Sequence, residues 1–220
     1  MAFALIQTAS RPLLSDDGVA AASPAEADRA VATLRADYER WSRWALGVAA
    51  FAATAGGLFV AAGLAATMAA LGIVSPADVA VVVVAALLAA AGVALLVALW
   101  RSGRALTRGA SSWVRAPYAN GARAPRGAGW VQARTVNLEP RILVRLITAT
   151  LALLIAVGGL ALFARDVAAG FSLMTVPALL VGLAAGLSGV GQIGGVMRIG
   201  GGMSAGDPLW SRLTGTARRS

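Results

Sequence analysis

This chain has no histidine, no lysine and no cysteine. Each absence removes a class of chemistry. Without histidine there is no imidazole ligand for haem or a related pigment and no histidine general base. Without cysteine there is no disulfide, thiolate metal site or iron–sulfur ligand, and the redox compartment cannot be read. Without lysine there is no Schiff base and no amine nucleophile. Acids are scarce as well, ten in 220 residues, and none sits deep in an apolar run. No cofactor, metal or enzyme activity is expected.

What is present is apolar. Hydrophobic residues make up 58% of the chain. Four stretches, Ala45–Val74, Val79–Trp100, Ile142–Ala164 and Leu173–Met197, each reach the roughly twenty residues needed to cross a ~30 Å hydrocarbon core. Arg145 is the one charge inside them. The composition predicts an all-α integral membrane protein, a four-helix transmembrane bundle made of two hairpins.

Arginine placement predicts its orientation. All 19 basic residues are arginine, and the net charge is +9. The turn at Ser75-Pro76-Ala77-Asp78 has no arginine, and the turn at Arg165-Asp166 is neutral. Between the hairpins, Arg101–Arg145 holds nine arginines against Glu139, and the tail adds Arg198, Arg212, Arg218 and Arg219 against Asp207. Cytoplasmic flanks retain arginine, so both termini and the central segment are expected inside, in a bacterial cytoplasmic membrane. Trp41, Trp44 and Trp100 fall at the same boundary, where indoles anchor.

Residues 1–22 read as a flexible segment. At Ser23 a helix start is marked by Pro24 at its first position and Glu26 completing a capping box. Ala27, Val31, Leu34, Tyr38, Trp41 and Ala45 then recur at alternating spacings of four and three, an apolar stripe on an amphipathic helix over 23–44. No breaker follows. The helix either runs on unbroken into the first span (45–74) or bends near Trp41–Trp44 to lie along the membrane surface. Val31, Leu34, Tyr38 and Trp41 are candidates for contact with a partner, with lipid headgroups or with the chain's own central segment.

The second span (79–100) is expected to continue as helix to about Ala110, with Pro117, Gly121, Pro125 and Gly127 marking an irregular Arg-rich loop to residue 141 and a short extended piece over Trp130–Val136. Arg101, Arg104, Arg108 and Arg115 are candidates for contact with anionic headgroups or a partner. Trp113, Tyr118 and Trp130 lie among them, a mixture that also suits nucleic acid, although none is expected as a partner. The third and fourth spans (142–164 and 173–197) form the second hairpin, and 200–220 a tail.

Small residues recur where spans would touch. Gly56, Gly63, Gly158, Gly182, Gly186 and Gly189 are candidates for close helix packing, with Gln192 pairing to a neighbouring helix. Val181 is expected to face lipid. Arg43 precedes Gly56-Gly57 by the interval that separates Arg145 from Gly158-Gly159, as parallel repeats would show. Asp78 reads as a helix N-cap. Packing-competent spans without reactive groups point to a non-catalytic subunit or scaffold bound to other membrane chains. The alternative is a small oligomeric transporter or pore, holin-like permeabilisers included, with Gln192 and the fourth-span glycines lining its path.

Overall fold

A computed structural model describes residues 5–15, 18–19, 21–123 and 140–204. Five α-helices follow one another: α1 Pro24–Tyr38, α2 Trp41–Leu71, α3 Pro76–Ala119, α4 Pro140–Ala169 and α5 Thr175–Ser204. A 3₁₀ turn, Arg11–Leu14, precedes them. There is no strand among the described residues. Four helical stretches are long and apolar enough to cross a membrane, within α2, α3, α4 and α5.

The helix boundaries have local causes. Ser23 accepts the Glu26 amide while Glu26 accepts the Ser23 amide at 2.9 Å, so the predicted capping box is formed. The helix does not run on into the first span. The Tyr38 carbonyl, which a continuing helix would offer to the Ser42 amide, instead accepts from the Arg145 guanidinium at 2.5 Å. The chain breaks at Glu39–Arg40, short of the bend expected at Trp41–Trp44. α2 closes at Gly72, whose φ of +65° is a conformation that side chains disfavour. The cap of α3 is Ser75, whose hydroxyl accepts the Ala77 amide; Asp78, expected as the cap, lies within the first turn. α3 continues to Ala119, nine residues past the expected end at Ala110, with Pro117 in its last turn. The piece expected over Trp130–Val136 and the tail from residue 205 lie outside the described residues.

The chain divides into two compact units. Unit 1 comprises 1–43, 101–146 and 192–220; unit 2 comprises 44–100 and 147–191. Unit 1 is built on a hydrophobic core. Leu34 and Leu106 are fully buried, and Ala27, Ala30, Tyr38, Ala110 and Trp113 join them. The N-terminal segment is docked on this core through Ile6, Leu13, Leu14 and Val19, contrary to the flexible segment expected. The Trp113 indole donates to Leu13 O at 2.8 Å, and the Gln7 amide to the buried Asp37 carboxylate at 2.8 Å. A two-pronged ion pair between Arg123 and Asp28 and a bond from the Asn120 amide to Ala22 O tie the end of α3 to the start of α1.

Unit 2 has few buried large side chains. Its buried positions are small, among them Ala50, Thr54, Ala85, Ala89, Ala156, Ala178 and Ala185. Its exposed positions are large and apolar, including Val84, Leu87, Leu154, Val157 and Leu187. Hydrocarbon satisfies such side chains as well as protein does, so the units obey different packing rules.

Candidate functional site

Close approach of helix backbones in unit 2 is set by glycines, mostly not those expected. A methyl group at Gly57 would come within 2.5 Å of Ala85 O and 2.9 Å of Ala89 N. One at Gly159 would meet Ala178 O at 2.7 Å and the Gly182 Cα at 2.9 Å. Gly92 lies directly against the Thr54 hydroxyl and the Ala50 carbonyl. Of the candidates, Gly182 and Gly189 lie in such contacts, Gly189 meeting Leu153 and the Ala149 carbonyl. The others do not. A methyl at Gly56 or Gly158 would meet nothing within 4 Å; at Gly63 or Gly186 it would make an ordinary contact, 3.5 Å from Met174 or 3.4 Å from Ala156. Each Gly-Gly pair thus supplies its second residue to the contact. Val181, expected to face lipid, is buried.

The polar groups of unit 2 are largely committed locally. Thr54 and Thr67 each donate to the carbonyl four residues back, at 2.8 and 2.9 Å. Arg165 pairs with Asp166 at 2.9 Å on an exposed surface. Gln192 falls in unit 1.

Unit 1 holds most of the charged groups. Arg145, the one charge predicted inside a span, belongs to this unit. It is 8% exposed, donates to Tyr38 O and stands 4.5 Å from the centre of the Tyr38 ring. It therefore neutralises the negative end of α1 and adds a cation–π contact. Arg43, also buried, donates to Leu5 O and to the Ser102 hydroxyl, each at 2.6 Å. Gly195 lies directly against the Tyr38 hydroxyl, where any side chain would displace the ring. Arg123 is raised above the ordinary arginine value by its hydrogen bonds to Asp28. Glu26 is lowered, chiefly by the Ser23 amide.

The predicted partner-contact residues separate into two groups. Leu34 and Tyr38 are consumed in the core of unit 1, and Val31 packs partly against it. Of the covers considered for the stripe, the chain's own central segment, as the end of α3, packs on it together with the N-terminal segment. Trp41 leaves the stripe and is 49% exposed. Arg101, Arg108 and Arg115 are exposed on α3, while Arg104 is partly buried. Trp113, considered for base stacking, is buried.

No group of three or more potential metal-ligating residues occurs among the described residues. A groove of about 450 Å³ runs beside α1, lined by Leu13, Ala22, Glu26, Arg29, Ala30 and Trp113. Its carboxylate is held by Ser23, so the groove brings together no acid–base pair. No family model matches the chain, and neither curated proteins nor solved structures yield a match.

Proposed function

We propose that the protein is a non-catalytic multi-pass subunit or scaffold of a larger assembly in a bacterial cytoplasmic membrane, with both termini inside. The observation that carries this reading is the division of labour between the units. Unit 2 holds three charged residues, Asp78, Arg165 and Asp166, of the 29 in the chain. Its helices meet backbone to backbone, leaving side chains to face lipid or neighbouring chains. The transporter or pore reading draws less support. Gln192, its strongest polar candidate, falls outside unit 2, and the Thr54 and Thr67 hydroxyls are bonded to their own helices.

Native-size measurement after extraction in mild detergent tests the reading. Different chains co-purifying in fixed proportion support a subunit; a homo-oligomer that passes ions in reconstituted vesicles overturns it. Orientation has its own test. Ser75→Cys and Ala168→Cys should react with an impermeant thiol reagent on intact cells, and Ala119→Cys only after permeabilisation.

A further inference from the structure

One exposed, strongly charged surface remains unused by either unit's packing. Along α3, Arg101, Arg108 and Arg115 recur every seven residues and are all exposed. The opposite face of the same helix, Ser102, Leu106, Ala110, Trp113 and Ala116, is buried. Seven residues are nearly two turns, so the three guanidinium groups form a row about 10 Å apart and about 21 Å long. No ion pair or hydrogen bond engages any of the three among the described residues. The rest of the chain is ill suited to neutralise them, having 16 further arginines against ten acids.

We infer that this row is a docking surface for an acidic helical segment of another protein chain, an inference that rests on the subunit reading and names the chemistry of its partner. Three properties select that occupant. A row on one face of an unbroken helix matches carboxylates repeated every seven residues on a second helix laid alongside it. Lipid headgroups match only the near end. α3 is unbroken from Pro76 to Ala119, and Trp100, 47% exposed, marks the end of its apolar stretch. The headgroup layer is about 5–8 Å deep, while Arg115 lies about 21 Å further along the helix than Arg101, which leaves about 16 Å of rise even at a 40° tilt. A single-stranded polynucleotide is held best where bases stack on aromatic faces set among the arginines. Trp113, on the same stretch, is buried in the core and hydrogen-bonded to Leu13.

The test uses the full chain in nanodiscs of phosphatidylcholine. The probe is a dye-labelled helical peptide with glutamates along one face at seven-residue spacing, compared with a peptide of equal composition whose glutamates are spread around the helix. The patterned peptide should bind about tenfold more tightly than the spread one. The triple variant R101Q/R108Q/R115Q should lose about tenfold in affinity, as three exposed ion pairs together suggest, and the triple lysine variant should retain most of it. Equal binding of both peptides, or unchanged binding by the glutamine variant, overturns the inference. So does tighter binding of a single-stranded oligonucleotide of equal charge, or loss of peptide binding to the variant's level when phosphatidylglycerol is added to the discs. If co-purifying chains persist with the glutamine variant while the peptide fails to bind, the docking row is wrong and the subunit reading stands. If no chain co-purifies with the wild type, the subunit reading itself falls.

Discussion

Unit 1 and unit 2 are cut from the same chain and hold together by opposite means. Unit 1 buries leucine, tyrosine and tryptophan and satisfies carbonyl groups with arginine. Unit 2 buries alanine, glycine and threonine and turns its leucines and valines outward. The difference follows from solvent. In water, removing apolar area is the main driving force; in hydrocarbon it is nearly neutral, and close fit between backbones takes its place. Large side chains therefore stabilise the first unit from inside and would disrupt the second.

That contrast is sharpest at single positions. Leu34→Asp should give the largest effect, about 4 kcal/mol or more, because it opens a cavity and buries a charge in the unit 1 core. Limited proteolysis and Trp113 fluorescence should report a loosened unit 1 while the four spans still insert. Failure to insert would show that the units are not separable in this way.

Gly57→Ala should come next. Its single methyl meets backbone atoms of α3, and such overpacking costs about 1–3 kcal/mol. Gly56→Ala, one residue away, meets nothing and should be neutral or slightly stabilising through helix propensity. Thermal aggregation in mild detergent distinguishes the pair, and equal behaviour would remove the backbone-fit account of unit 2.

Arg145→Gln should weaken unit 1 by about 2 kcal/mol, the order expected of one charge-assisted hydrogen bond. Lysine should restore the charge at the end of α1 but not the flat stacking on Tyr38, and so rescue only in part. Hydrogen exchange in α1 is the measurement, and an unchanged rate would demote the contact to an accident of proximity.

The smallest effect is a pH dependence at Ser23. Glu26 is held below its ordinary value of 4.5, mainly by the Ser23 amide. Its contribution is therefore complete above pH 4.5 and is lost as pH falls through the lowered value. Amide exchange at the first turn of α1 should speed up in that acid range, and Glu26→Gln should flatten the response.

The sequence displayed the spans and the capping box because each is written in residues close together. Apolar length and a three-residue capping signal need no tertiary knowledge. It did not display the break at Glu39–Arg40, because the group responsible is Arg145, more than a hundred residues away. Nor did it distinguish Gly57 from Gly56, since adjacent glycines are equivalent until the rotation of the helix about its axis is known. The same rotation hid the burial of Val181. Arginine spacing, by contrast, is a local signal that puts Arg101, Arg104 and Arg108 on one helical face, yet Arg104 is partly buried where Arg101 and Arg108 are exposed.

The cover that α3 provides over α1 has a consequence in time. α1 leaves the ribosome well before its cover, with about 70 residues separating Tyr38 from the Leu106 region. At synthesis rates of about 5–20 residues per second, Leu34 and Tyr38 wait roughly 3.5 to 14 seconds for the part of their cover that α3 supplies. The first two spans are made during that interval. Arg145 arrives later still, so the carbonyl end of α1 is closed only as the third span begins to emerge. A half-made chain thus displays a sticky helix that the finished protein conceals, and its first encounters during synthesis differ in kind from those of the mature molecule.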